Sequence, residues 1–123
     1  MADPPDWVVD MYTEVDANNG PAVLARFAPG IELQFGARPV VTGVEEARRT
    51  LAAVHENFLR VSHSYRNVWQ LGDTTVCEFV ATYSLPDGRE LPLPTLTVLR
   101  RDGDGRIAGM RVYMDEGPLR PHL

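Results

Sequence analysis

The feature that most constrains this chain is a series of three two-residue turn signals in its second half. Gly72-Asp73, Asp87-Gly88 and Asp104-Gly105 each separate stretches in which apolar and polar residues alternate. Dipeptides of this kind favour β-hairpins, because Gly and Asp adopt the backbone angles that tight turns require. Residues 61–115 are therefore predicted to form four antiparallel strands, each paired with the next along the chain.

The first half of the chain indicates three helices and one strand. Apolar residues recur at helical spacing within residues 8–15, 23–27 and 44–58, and turn residues separate the three segments. Between the second and third segments, apolar residues alternate with polar ones over residues 31–35, which is typical of a half-buried strand. This order predicts an α+β fold in which three N-terminal helices pack on a curved, mainly antiparallel sheet. At 123 residues, the chain is expected to form a single domain, residues 1–123.

Composition and charge limit the possible partners. The net charge of −5 argues against nucleic acid, whose binding requires a clustered basic face. All 12 basic residues are arginines, which excludes lysine chemistry such as Schiff-base formation and is also typical of GC-rich bacterial genomes. The three histidines lack metal-ligand spacing, so neither a metal nor another cofactor is expected. The apolar stretches are too short to cross a membrane and no signal-peptide pattern opens the chain, so a cytoplasmic location is expected.

Hairpin register predicts which side chains share a face of the sheet. Two-residue turns, or four-residue loops with the same centres, place directly opposed residues on one side, whereas an odd-numbered loop would break the pairing. The inward face is then predicted to carry His63, Tyr65, Asn67, Trp69, Glu78, Val80, Thr82, Leu93, Thr95, Thr97, Met110, Val112 and Met114. This mixture is too polar for a sealed core, so it predicts a pocket between the sheet and the helices.

Three residues of this inward face are candidates for catalysis. Glu78 is its single carboxylate, and it is interpreted either as a general acid or base or as a structural partner of a neighbouring polar group. His63 is either a catalytic residue or a histidine at the pocket rim, and Tyr65 either donates a hydrogen bond to a substrate oxygen or caps the core. The predicted substrate-binding residues on the sheet are Asn67, Trp69, Val80, Thr82, Thr95, Thr97, Met110, Val112 and Met114.

Two stretches resemble a known family. VDANNGPAVLARFAPGIELQFG near the start and DGRIAGMRVYMDEG near the end are similar to SnoaL-like domains of the nuclear transport factor 2-like superfamily. The resemblance extends from about residue 7 to residue 117, and it implies a cone-shaped α+β fold that encloses a pocket. The superfamily includes ketosteroid isomerases, limonene epoxide hydrolases, polyketide cyclases, dehydratases and non-catalytic binding modules, so the fold alone implies no single activity.

The catalytic residues of two well-known relatives are not matched. The general-base Asp of the ketosteroid isomerases falls on Phe35, and the carboxylic acid of their oxyanion hole falls on Thr97. Their oxyanion-hole Tyr falls on Met11, with Tyr12 one position away. The resemblance therefore implies that Phe35 and Tyr12 join the predicted pocket residues without supplying that chemistry. The Asp-Arg-Asp relay of the epoxide hydrolases falls on Val80, Glu78 and Val112.

The sequence leaves three functional hypotheses. The leading one is a cofactor-free acid–base enzyme of isomerase, cyclase, dehydratase or hydrolase type that acts on an apolar, oxygenated small molecule. The alternatives are a non-catalytic small-molecule-binding or accessory module and a dimerisation module with a filled cavity. A homodimer through the outer sheet face is also predicted, because apolar side chains are predicted to cluster there. That cluster comprises Phe79, Leu96, Val98 and Tyr113.

Overall fold

Three helices precede most of the sheet in the computed structural model, which describes residues 3–123. The helices are α1 (Asp6–Asp16), α2 (Gly20–Leu24) and α3 (Val44–His55). The strands are β1 (Phe27–Phe35), β2 (Val41–Thr42), β3 (Arg60–Leu71), β4 (Thr74–Ser84), β5 (Glu90–Arg101) and β6 (Ile107–Met114). A short 3₁₀ helix, Arg120–His122, follows the last strand. The predicted α+β class with N-terminal helices is confirmed.

The six strands form one sheet in the order β2-β1-β6-β5-β4-β3. The last four strands are the predicted meander, in which each strand pairs antiparallel with the next. β1 joins the free side of β6 as its parallel neighbour, and β2 pairs antiparallel with β1. The helices cover one face of this sheet, because buried apolar residues of α1 and α3 join those of β1, β4, β5 and β6 in a single core.

A sharp turn places α2 beside the end of α1. Asn18 adopts a left-handed backbone conformation with φ of 56°, which short polar side chains tolerate better than bulky ones. The side chain of Asn19 then caps α2 by accepting a hydrogen bond of 3.3 Å from the backbone N–H of Ala22. The chain therefore reverses within three residues, and α2 remains close to the carboxyl end of α1.

The predicted strand pairing is confirmed for β5–β6, and for β3–β4 only from the turn as far as Asn67. Leu71 pairs with Thr74 across the two-residue turn Gly72-Asp73. In the β5–β6 pair, Thr97 lies opposite Val112, as predicted. The predicted two-residue turn is not formed, since Arg101 pairs with Ile107 across residues 102–106, and a register shift next to this loop restores the predicted pairing.

The predicted β4–β5 register is wrong by one residue. Ser84 pairs with Glu90, so the connection is a loop of odd length over residues 85–89 rather than a two-residue turn. Thr97 consequently lies opposite Cys77 instead of Glu78. Because successive side chains of a strand point to opposite faces, this one-residue shift exchanges the two faces of β4.

A β-bulge in β3 likewise shifts the register of the β3–β4 hairpin by one residue. Asn67 pairs with Glu78, but Tyr65 pairs with Phe79, which leaves Arg66 as an extra residue between the two pairs. His63 and Tyr65 therefore share the helix-facing side with Phe79. The prediction that five residues point inward is wrong, since they lie on the outer face of the sheet. These residues are Glu78, Asn67, Trp69, Val80 and Thr82.

Phe79 is at the centre of the helix-facing side, contrary to the predicted outward orientation. Its side chain is 0% exposed. Three aromatic rings surround it, with centroids 4.5 Å (Tyr12), 5.0 Å (His63) and 5.1 Å (Tyr65) from its own. Apart from Tyr12, which comes from α1, these rings belong to the paired strands β3 and β4, so the bulge and the register shift together build this cluster.

Candidate functional site

A cavity of about 210 Å³ lies between the three helices and the inner face of the sheet. Exposed residues of the α1–α2 turn, Asn18 to Gly20, and the exposed Arg48 of α3 mark its opening. Its wall is largely apolar. The helices contribute Met11, Tyr12, Val15, Val23, Leu24, Leu51, Ala52 and His55, and the strands contribute Phe35, His63, Ala81, Tyr83, Thr95, Thr97, Met110 and Val112.

The cavity brings together half of the residues that the sequence predicted for the site. Seven of the fourteen line it: Tyr12, Phe35, His63, Thr95, Thr97, Met110 and Val112. Tyr65 and Met114 are on the same side of the sheet and pack against the core beside the cavity. The remaining five, which include the candidate catalytic residue Glu78, are on the outer face.

The main polar feature of the cavity wall is His63, which is held from behind the wall by Asp16. Asp16 is the last residue of α1, and its Oδ1 lies 2.7 Å from His63 Nδ1. Its Oδ2 accepts a hydrogen bond of 3.0 Å from the backbone N–H of His63, so one carboxylate fixes both the strand and the ring. The carboxylate favours the tautomer with a proton on Nδ1, which leaves Nε2 free to accept a proton from a molecule in the cavity.

Tyr12 lies beside this pair and carries a buried hydroxyl. Its ring centroid is 4.8 Å from that of His63, and its side chain is 3% exposed. Among the described residues, its Oη has no hydrogen-bond partner of good geometry. Burial raises the pKa of the Tyr12 phenol, and the neighbouring Thr97 hydroxyl opposes that shift only in part. Tyr12 is therefore a neutral O–H donor at the edge of the cavity, next to Thr97.

His55, the last residue of α3, is a second imidazole in the wall. Its ring packs against Phe35 and Tyr83, with centroid distances of 6.3 Å and 6.0 Å. Burial, with a smaller contribution from the nearby His63, lowers the pKa of His55 from 6.5 to about 4. At neutral pH this ring is uncharged, so it offers one N–H donor and one nitrogen acceptor.

Two further polar residues line the cavity: Tyr83, which remains neutral, and Arg48, which is held in an ion pair. Burial raises the pKa of the Tyr83 phenol, with a smaller contribution from Glu116, so Tyr83 retains its proton. Arg48 at the opening is held by Glu45, with a shortest contact of 2.6 Å. None of the described residues that line the cavity is a carboxylate. The wall therefore suits a neutral, mainly apolar molecule with oxygen atoms that accept hydrogen bonds.

Glu78 has a structural partner on the outer face. Its Oε1 accepts a hydrogen bond of 2.8 Å from the side-chain amide of Asn67, the residue directly opposite on β3. This is the structural alternative that the sequence left open for Glu78. Since Glu78 does not border the cavity, the catalytic role predicted for it is wrong in its placement.

Two residues that matter to this site, Asp16 and His55, are absent from the predicted site residues, although the sequence carried signals for both. Asp16 follows Tyr12 by four positions, and His55 follows Leu51 by four positions. Residues four apart lie on the same side of a helix, so each of these polar groups is beside an apolar residue that faces the sheet. A polar residue at the end of an apolar helical stripe was the available signal.

Residues 3–123 contain no group of three or more His, Cys, Asp or Glu side chains arranged to hold a metal ion. Among the helices of this range, none is long and apolar enough to cross a membrane.

Solved structures of low sequence identity share this fold. An NTF2-like protein of unknown function from Burkholderia pseudomallei K96243 is 17% identical, with a TM-score of 0.81 over 94% of this chain and 92% of that one. A putative SnoaL-like polyketide cyclase from Jannaschia sp. CCS1 is 22% identical, with a TM-score of 0.75 over 99% and 96% of the two chains. A protein of ketosteroid isomerase-like fold from Catenulispora acidiphila DSM 44928, solved with trimethylamine, is 19% identical, with a TM-score of 0.78 over 90% and 86%.

Family comparison agrees with these structural similarities. No curated protein sequence matches the chain. The family model of the SnoaL-like domain matches residues 8–110, a range that runs from α1 into β6. The chain therefore belongs to the SnoaL-like domain family.

Proposed function

We propose that this protein is a cofactor-free acid–base enzyme for a small, apolar molecule that carries oxygen groups. The observation that carries the proposal is that His63, which lines the cavity, is 2.7 Å from the carboxylate of Asp16. A carboxylate that orients an imidazole is an arrangement used for general-base catalysis, because the bound nitrogen fixes the ring and the other nitrogen receives the proton. Isomerisation, cyclisation, dehydration and hydrolysis all need such a proton transfer.

The neighbouring hydroxyl supports the same proposal. When a base removes a proton from carbon, negative charge develops on a substrate oxygen, and donors that are already in place stabilise it. Tyr12 offers a buried O–H without a partner of good geometry, next to the ring of His63. Thr97 is beside Tyr12, whereas the hydroxyl of Thr95 is already bonded to the carbonyl of Leu93 at 3.0 Å. His63 therefore acts as the base and Tyr12 as the oxygen donor.

The experiment measures hydrogen–deuterium exchange at the α-carbons of cyclohexanone in D₂O by NMR. We expect the wild-type protein to accelerate exchange, and His63→Gln to lose about 100-fold of that acceleration, which is typical for loss of a general base. Glu78→Gln is the matched control, because its carboxylate is on the other face of the sheet, and it should retain the wild-type rate. Bound cyclohexanone without accelerated exchange would favour the alternative, a non-catalytic binding module. If cyclohexanone neither binds nor exchanges faster, the enzyme proposal and the binding-module alternative are both refuted.

We also propose that the outer face of the sheet forms a homodimer. Trp69 and Tyr113 are 46% and 51% exposed there, and half-buried Val76, Leu96 and Val98 lie between them on paired strands. An apolar patch of this kind with arginines at its edge is typical of a protein–protein interface. The corrected register replaces Phe79 in this patch by Trp69 and Val76. Sedimentation at micromolar concentration is expected to give a dimer, and a wild-type monomer would contradict the proposal.

A further inference from the structure

His55 is the polar residue of the cavity wall that the proposed proton transfer does not use. It lines the same cavity as His63, and its ring rests between Phe35 and Tyr83. Among the described residues, no side-chain hydrogen bond involves its ring, whereas His63 is bound to Asp16. His55 is half-buried and neither of its ring nitrogens is fully enclosed, so a molecule in the cavity can reach them and form the missing hydrogen bond.

The floor between the two histidines is open. His63 packs on Phe79 and His55 packs on Tyr83, and these two rings project from the same face of β4. The residue between them on that face is Ala81, whose small side chain also borders the cavity and pairs with His63. A molecule above Ala81 therefore meets both imidazoles.

We propose that His55 binds the carbonyl oxygen of the substrate, and that the substrate is a carbonyl compound about the size of one six-membered ring. This inference rests on the proposed function, because it assigns the second half of the same proton-transfer site. A neutral imidazole can polarise a carbonyl by donating its N–H, without the charge that burial disfavours. A carbonyl oxygen can accept two hydrogen bonds, so a donor role for His55 is compatible with the one proposed above for Tyr12.

The volume of the cavity sets the size of the substrate. A cavity of about 150 Å³ accommodates benzene. The volume here, about 210 Å³, leaves room for a six-membered ring with one or two small substituents. A fused four-ring compound would not fit unless the wall moved. The size of the compound is therefore a testable part of the inference.

The reaction step is balanced without any further reactant. His63 Nε2 takes a proton from the carbon next to the carbonyl, and the electron pair of that C–H bond forms the C=C bond of an enolate. The negative charge moves to the carbonyl oxygen, where the N–H of His55 stabilises it. Return of the proton from His63 to the same or another carbon restores the carbonyl and the free base.

The test compares binding with exchange for two probes of the same size. Cyclohexanone carries the carbonyl oxygen and methylcyclohexane does not, and ligand-detected NMR gives the dissociation constant of each. We expect His55→Phe to weaken cyclohexanone binding about tenfold, as loss of one hydrogen bond does, and to leave methylcyclohexane binding unchanged. His55→Gln, which restores an N–H, should recover part of the affinity. A four-ring steroid ketone should not compete with cyclohexanone.

The outcomes separate this inference from the proposed function. Exchange that depends on His63 but not on His55, with unchanged cyclohexanone affinity in His55→Phe, would overturn the inference and leave the proposed function standing. Cyclohexanone binding that depends on His55, without exchange in the wild-type protein, would refute the proposed function and retain His55 as the oxygen site. Competition by the steroid ketone would overturn the size of the substrate.

Discussion

On each face of the sheet, a carboxylate contacts a side-chain nitrogen of β3, but the two contacts differ in the chemistry that they allow. On the cavity side, Asp16 is 2.7 Å from the imidazole of His63. On the outer side, Glu78 is 2.8 Å from the amide of Asn67. The distances are nearly equal, but an imidazole can take up and release a proton near neutral pH and an amide cannot. Only the Asp16–His63 contact borders a cavity.

This difference shows that the face of a strand decides what a polar residue can do. Glu78 was the natural catalytic candidate in the sequence, because it is a lone carboxylate among apolar residues of a strand. Its neighbours across the sheet are Asn67 and Leu96, and none of these three side chains borders the cavity. The pair formed by Asp16 and His63 joins a helix to a strand 47 positions away. Hairpin spacing alone carries no information on such a contact.

The largest expected effect tests the face assignment itself. Phe79→Ala removes a ring that is 0% exposed and in contact with three aromatic rings, so we expect the free energy of unfolding to fall by about 3 to 5 kcal/mol. Val80→Ala changes the adjacent residue on the outer face and should cost about 1 kcal/mol or less. Chemical denaturation of both variants gives the comparison. Equal losses would contradict the assignment of the two faces.

The sequence predicted the four-strand meander because turn dipeptides and apolar alternation are local signals. Gly72-Asp73 forms the predicted turn, whereas the β5–β6 pairing agrees with the prediction because a register shift offsets a loop of odd length. The predicted fold class, the order of its elements and the four cavity residues of β5 and β6 depend on such signals. Tyr12 and Phe35 were predicted from the family resemblance, and His63 faces the cavity because the bulge in β3 and the register shift of β4 cancel. The cavity wall from β5 and β6 was placed correctly because that hairpin has the predicted register.

The wrong face assignments in β3 and β4 have two physical causes, and the alternation of apolar and polar residues indicates neither of them. Arg66 adds one residue to β3, and the loop after Ser84 has an odd number of residues. Each shifts the register by one position, which is enough to exchange the faces of a strand. The buried position of Phe79 is consistent with its large apolar ring, so a comparison of burial on the two alternative faces would have favoured the observed register over the predicted one.

The pH dependence of stability tests whether His55, on the cavity side of the sheet, is buried in its neutral form. The pKa of His55 is about 4 in the folded protein and 6.5 as its ordinary value, because burial disfavours the charged ring. Between these values the unfolded chain binds more protons than the folded one, so stability should fall as pH falls from 6.5 to 4. A depression of this size corresponds to at most roughly 3 kcal/mol.

Comparison with a variant separates the contribution of His55 to the pH dependence of stability from that of other groups that titrate in the same range. His55→Phe removes the titration and keeps a ring of similar size, so its stability should depend less steeply on pH over that interval. Thermal or urea denaturation at several pH values gives the two curves. Parallel curves for the wild type and the variant would mean that His55 is accessible to solvent, and its role as a neutral donor would then lose its support.

The smallest expected effect concerns the outer face and its proposed homodimer. Val98 lies opposite Val76 and Arg111 on that face. Val98→Glu therefore places a carboxylate within the apolar patch. In the monomer this carboxylate can form an ion pair with Arg111, so the monomer should tolerate the change. At a dimer interface the added charge would lose water, and we expect dissociation to become at least about tenfold easier, which corresponds to about 1.4 kcal/mol. Sedimentation over a range of concentrations measures the change. Thr97→Val is the matched control, because the preceding residue of the same strand faces the cavity, and it should leave the dimer intact. A dimer that Val98→Glu does not weaken, or that Thr97→Val weakens equally, would place the interface elsewhere and would end the division of roles between the two faces.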